Sequence, residues 1–172
     1  MATTYEAIAT VEVGSGGASS IDFTSIPTDG TYTDLLLKVS ARKTTTGGSN
    51  LQMQFNGSTS SYTQRTLIGD GSTVVSYNDN SEIGFMYVTT SSTTANTFSS
   101  TDIYIPNYAS SNNKSVSIEN VTENNATASG CVLTAALWSN SAAINRVYLQ
   151  IANGVGVFAQ YSTATLYGIK NS

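Results

Sequence analysis

The sequence predicts an all-β fold, a single-domain antiparallel β-sandwich, and three observations carry that prediction. Small polar residues dominate: 25 Ser, 25 Thr, 15 Asn and 14 Gly among 172 positions. Such groups satisfy hydrogen bonds in turns and strands rather than stabilise helices. Apolar residues recur at every second position over short stretches, the period of a half-buried strand. Clusters of Gly, Asn and Asp then separate these stretches at intervals of about 8 to 16 residues, as in sandwiches and barrels. A chain of 172 residues corresponds to one domain, residues 1–172, that buries about 70% of its unfolded surface and needs no staple.

The elements follow in order. From Tyr5 to Val13, Ala7, Ala9, Val11 and Val13 share one face, and Glu6, Thr10 and Glu12 the other. Ile21 and Phe23 define a short second strand, closed by Pro27 and the Thr28-Asp29-Gly30 turn. Between Thr33 and Ala41, Leu35, Leu37, Val39 and Ala41 alternate with Asp34, Lys38 and Ser40, and the extra Leu36 marks a central strand. Thr44 to Asn50 is a loop. Leu51, Met53 and Phe55 then alternate with Gln52, Gln54 and Asn56 without exception. Further strands are expected at 62–68, 72–77, 82–88, 98–105, 114–121, 132–138, 146–152, 155–160 and 163–169. The turns between them are Gly69-Asp70-Gly71, Asn78-Asp79-Asn80, Asn112-Asn113, Asn124-Asn125 and Asn153-Gly154. Within Cys131 to Arg146 the alanines favour a helix, but Val132, Thr134, Trp138 and the Ser139-Asn140-Ser141 interruption point to strand, turn, strand. The expected core is Leu35, Leu37, Val39, Leu51, Met53, Phe55, Val116, Ile118, Leu133, Leu137, Val147, Leu149, Ile151 and Leu166.

Absences narrow the function. The sequence has no His, the commonest general base and metal ligand, and a single cysteine, Cys131, so no intrachain disulfide or Cys-based zinc site can form. Seven basic residues against eleven acidic ones give a net charge of −4. With no basic stripe to neutralise phosphates, nucleic-acid binding is not expected. No apolar run reaches membrane-spanning length. The opening Met1-Ala2-Thr3-Thr4-Tyr5-Glu6 carries no secretory pattern, so synthesis in a cytoplasm is expected. Few lysines blunt the strand edges, so association into a homo-oligomer is expected.

Several residue groups are candidates for a site. Asn78, Asp79, Asn80 and Glu82 offer closely spaced oxygens to a hard cation, but their spacing departs from an EF-hand loop and Asn-Asp-Asn is first a turn composition, so no metal and no cofactor are expected. Glu119 with Glu123, or Glu82 with Asp102, are the carboxylate pairs a glycosidase would require. Nothing in the sequence sets their separation, so no enzymatic activity is expected. Tyr104, Tyr108, Tyr161 and Tyr167 lie near predicted strand ends or loops and could stack on a sugar, although tyrosine also favours strands for packing reasons. Arg42-Lys43 is the only adjacent basic pair, expected as a solvated strand end.

Four segments carry a resemblance: Thr4 to Thr10 (TYEAIAT), Ile21 to Leu35 with its IDFTSIP start, Leu51 to Gly57 (LQMQFNG) and Ser162 to Ile169 (STATLYGI). Together they resemble short β-rich virion structural proteins of tailed bacteriophages, marine and cyanobacterial ones especially, of the decoration or fibre-associated type. The resemblance implies a jelly-roll-like module on the virion surface, a trimer docked to the major capsid protein or to a tail or fibre protein. It brings no catalytic residues. Two roles follow as expectations: a capsid decoration or cement protein, or a tail fibre or knob module that binds a host-surface glycan. The early first strand, with no shaft before it, favours decoration.

Overall fold

Twelve strands make up the computed structural model, which describes residues 4–47, 50–125 and 129–170. They are β1 (Tyr5–Glu12), β2 (Ser20–Phe23), β3 (Asp34–Ala41), β4 (Asn50–Phe55), β5 (Tyr62–Gly69), β6 (Val74–Asp79), β7 (Ile83–Tyr87), β8 (Ser99–Ile105), β9 (Lys114–Thr122), β10 (Gly130–Trp138), β11 (Val147–Ile151) and β12 (Thr163–Ile169). One 3-10 turn, Ala152–Gly154, interrupts them, and no α-helix occurs among the described residues. The strands form an eight-stranded sheet, ordered β1-β12-β3-β8-β9-β10-β5-β6, and a four-stranded sheet, ordered β2-β11-β4-β7. The two antiparallel sheets pack face to face as a β-sandwich, as the period-2 patterns require.

The strand pairs are nested. β1 pairs with β12, β2 with β11, β3 with β8 and β4 with β7, so two antiparallel halves of the chain wrap around each other. Two hairpin-like excursions leave this wrap. β5 and β6 follow β4, β9 and β10 follow β8, and all four strands join the large sheet beyond β8.

Between the sheets lies the core, filled by alternate residues of each strand. Leu35, Leu37, Leu51, Met53, Phe55, Ile103, Ile118, Val147, Leu149 and Leu166 are wholly buried, each contributing about 1.5–3 kcal/mol of apolar burial. At one end Phe55, Tyr62 and Trp138 pack ring against ring, with centroids 5.6–6.3 Å apart. The Tyr62 hydroxyl donates to the Ser58 carbonyl and accepts the Phe55 amide, which ties the β4–β5 corner to that cluster.

β7 holds the inserted strands to the small sheet. Its register against β4 jumps between Leu51 and Met53, and Phe85 sits in the left-handed region with φ of 59°. For an aromatic residue that conformation is strained. The bulge aims the Phe85 ring onto Tyr77 of β6, stacked at 5.6 Å with planes 6° apart. It also presents the backbone of β7 to amide side chains of the large sheet. Gly84 N–H donates to Gln64 Oε1 at 3.0 Å, and Tyr87 N–H donates to Asn120 Oδ1 at 2.7 Å. Asn120 Nδ2 in turn donates to the Tyr87 carbonyl and to Thr101 Oγ1. Asn120 thus behaves as a short length of strand backbone, which is why an amide is buried at a core position.

Four expectations are corrected. In β10 the inward residues are Val132, Thr134, Ala136 and Trp138, while Leu133 is exposed and Leu137 half-buried. Trp138 sets this parity by pairing with Tyr62, and a sheet has only two parities. In β1 a register shift between Ala7 and Ala9 puts Ala7 on the outer face beside Tyr167, while Ile8 and Val11 lean on the core. Residues 155–160 form no strand; Gly154 and Gly156 have positive φ, and Phe158 alone bridges to Ala18 and Lys43. Finally, Arg42-Lys43 is not a solvated end. Lys43 is fully buried with Nζ donating to the Gly47 carbonyl, and the Arg42 guanidinium donates to the carbonyls of Thr93, Thr94 and Thr97. It organises that loop as a planar fork.

Candidate functional site

The outer face of the eight-stranded sheet gathers the candidate side chains, and cross-strand pairing sets their rows. One row runs Ala7, Tyr167, Leu36, Tyr104, Ser117 and Ala135 across β1, β12, β3, β8, β9 and β10. The next runs Thr10, Thr165, Lys38, Asp102, Glu119, Leu133 and Leu67, ending on β5. A third places Ser100, Val121, Cys131, Gly69 and Val74 side by side. The face therefore divides in two. Tyrosines occupy the nested strands together with Lys38 and Asp102, and aliphatic groups gather on the inserted ones, beside Glu119 of β9 and Arg65 of β5.

On the nested side, Tyr5, Leu36, Tyr104 and Tyr167 border two adjoining hollows of about 190 and 400 Å³. Tyr5 is 54% exposed and Tyr104 38%. The Tyr104 hydroxyl donates to Asp34 Oδ2 at 2.8 Å, and that bond, with burial, raises its pKa above the ordinary value. Asp34 also accepts the Asn107 amide, so the ring is held in one orientation. Lys38 Nζ meets Asp102 Oδ2 at 2.5 Å in an exposed ion pair, and Asp102 lies opposite Glu119. A third hollow of about 210 Å³ continues past Lys38 and Tyr167 towards Ser40, Thr163 and Thr165.

On the inserted side, Leu67, Val74, Val121 and Leu133 are 48%, 71%, 48% and 52% exposed and line a shallow, mostly apolar hollow of about 400 Å³ together with Cys131, with Glu119 at its border. Beside it β6 is the sheet edge, and five of its six residues are exposed with Asp79 half-buried. An exposed apolar edge strand is a template for pairing with another chain.

The sequence candidates are only partly assembled by this geometry. Tyr104 and Tyr167 come together, two strands apart in one row. Tyr161 is exposed at the far end of β12, about 20 Å away along the strand. Tyr108 is a correction: it is fully buried, with its hydroxyl donating to the Pro27 carbonyl and its pKa pushed up to about 12 by burial. A ring in the core cannot touch a glycan.

Asn78, Asp79, Asn80 and Glu82 separate into structural roles. Asp79 Oδ1 accepts both the amide and hydroxyl of Ser81, which holds its carboxyl below the usual range. Glu82 accepts Gln52 Nε2, and burial raises its pKa. No group of three acidic or Cys side chains suited to a metal occurs among the described residues. The carboxylate pairs that a glycosidase would require do not form either. Glu123 caps the Asn125 amide in a turn, and Glu82 lies on the small sheet, away from Asp102 on the large one. The structure pairs Asp102 with Glu119 instead, side by side across β8 and β9 on the outer face, with Asp102 held by Lys38. Two exposed carboxylates beside a lysine are hydrogen-bonding groups.

What the sequence reading missed is Tyr5, Leu36 and the apolar quartet. The alternation of β9, β10 and β5 contained three of the quartet, since Leu67, Val121 and Leu133 lie on the face opposite Tyr62, Ile118 and Trp138. No family model matches the chain, and neither curated proteins nor solved structures give a significant match.

Proposed function

We propose that this chain is a non-enzymatic virion structural protein of a tailed bacteriophage, a capsid decoration or cement module displayed on the particle surface. The observation that carries the reading is the pairing of the apolar quartet Leu67, Val74, Val121 and Leu133 with the open edge of β6. An exposed apolar patch beside an unpaired strand is the kind of surface that a larger assembly covers. The nested pairing β1/β12, β2/β11, β3/β8, β4/β7 supports a jelly-roll reading of the wrap. In this reading the chain is made in the host cytoplasm, associates as a homotrimer and docks on the major capsid protein through the inserted strands. Neither nucleic acid nor membrane takes part.

The test is the copy number of this protein in purified particles, by quantitative mass spectrometry against the major capsid protein. A fixed large fraction of the capsid subunits is expected. A ratio matching a handful of fibres replaces decoration with a tail role, and absence from particles overturns the virion reading. The second reading, a tail fibre or knob module that binds a host-surface glycan, is favoured by the tyrosine cluster of the nested strands.

A further inference from the structure

We infer that the Tyr5, Leu36, Tyr104 and Tyr167 cluster on the outer face of β1, β12, β3 and β8 is a binding site for neutral oligosaccharides. The inference deepens the second reading by naming the residues and the ligand class, and it holds wherever the module sits on a particle.

The chemistry is that of a sugar site. A pyranose has apolar C–H faces and a rim of hydroxyls, so a receptor needs ring faces and hydrogen-bonding groups within one residue's reach of each other. Here Tyr5, Tyr104 and Tyr167 supply the rings around Leu36, and the two hollows share Tyr5 and Leu36. Tyr104 and Tyr167 are two strands apart, roughly 10 Å. That spacing serves a chain of sugars better than a single ring. Asp102, Ser117, Glu119 and Lys38 lie in the same hollows and offer both acceptors and donors to hydroxyls. The third hollow adds Ser40, Thr163 and Thr165 on the line of the groove. Because Tyr104 is already fixed by Asp34, little ordering accompanies binding.

Charge selects the class. The groove carries two carboxylates, Asp102 and Glu119, against one ammonium, Lys38. An acidic sugar meets net repulsion there, and a neutral one does not. The same groups disfavour a protein partner, since the cores of protein interfaces are depleted of charge. The aliphatic quartet on β5, β6, β9 and β10 meets only one of these charges, Glu119, at its border.

The experiment is amide chemical-shift mapping of the full chain with maltohexaose, cellohexaose, chitohexaose and an oligogalacturonate of similar length. Saturable shifts with at least one neutral oligosaccharide, centred on Tyr5, Leu36, Tyr104 and Tyr167, are expected, with none for oligogalacturonate. Tyr104→Ala and Tyr167→Ala each weaken binding at least tenfold, and the folded state of both variants is checked by the dispersion of the same spectra. Tyr104→Phe keeps the ring but not its bond to Asp34, and weakens binding less than Tyr104→Ala does. Tyr161→Asn, which suits that residue's positive φ, leaves binding unchanged. Binding confined to oligogalacturonate, shifts mapping to Leu67 and Leu133, survival of binding in the Tyr104→Ala/Tyr167→Ala double variant, or no binding by any neutral probe each overturns the inference. None of these outcomes depends on copy number in particles, so the docking proposal stands or falls separately.

Discussion

Phe55 shows what a single side chain does in this sandwich. It is wholly buried, its ring lies 5.6 Å from that of Trp138, and its amide donates to Tyr62. Phe55→Ala leaves a cavity that Tyr62 and Trp138 cannot collapse into without leaving their own partners. A loss of about 3–5 kcal/mol in urea unfolding is expected. A loss below about 1 kcal/mol contradicts the packing of β4 against β5 and β10. Single residues of this kind were legible from alternation alone, because β4 has no exception to its pattern. Tyr108 was not, since the Pro106-Asn107 turn before it reads as surface loop, while the ring turns back beneath Pro27.

Among the elements, β7 depends most on residues far from it in sequence. Its bulge, the Phe85–Tyr77 stack and the amide contacts from Gln64 and Asn120 together attach β5, β6, β9 and β10 to the small sheet. Asn120→Leu keeps the volume and leaves both the N–H and the C=O of Tyr87 without their side-chain partner. A destabilisation on the order of 2–4 kcal/mol is expected, together with faster hydrogen exchange at Tyr87. An unchanged Tyr87 exchange rate contradicts the role given to Asn120. Strand positions were readable for the same reason they form, a period of two. Facing was less so: Leu133 and Leu137 outrank Thr134 and Ala136 in hydrophobicity, yet Trp138 decides the parity of β10. Register between β12, β3 and β8 is non-local, so the meeting of Tyr167, Leu36 and Tyr104 has no signature along the chain.

For the whole molecule, buried phenols give stability an alkaline limit. Burial pushes Tyr108 up to about 12 and also raises Tyr62, whereas an unfolded phenol titrates near 10. The folded state therefore keeps these protons when the unfolded state releases them. Their stabilisation is complete below about pH 10 and is lost as the pH climbs towards 12. Lys43 and Lys114, pushed down by burial, act in the opposite sense as the pH rises to 10.5, the ordinary lysine value. Comparison with Tyr108→Phe isolates the tyrosine. The urea midpoint of wild type is expected to exceed that of the variant at pH 8, and the gap to close between about pH 10 and 12. A gap that stays constant over this range contradicts the burial of the hydroxyl.

The nested wrap also imposes an order in time. Thr10 of β1 bonds to Thr165 of β12, 155 residues later. At a synthesis rate of about 5–20 residues per second, β1 leaves the ribosome roughly 8–30 s before its partner exists. A strand that waits so long must not stick to its neighbours on the polysome. Its composition suits the delay, with alanines, Thr10, Glu6 and Glu12 in place of the valine and isoleucine runs that nucleate aggregation.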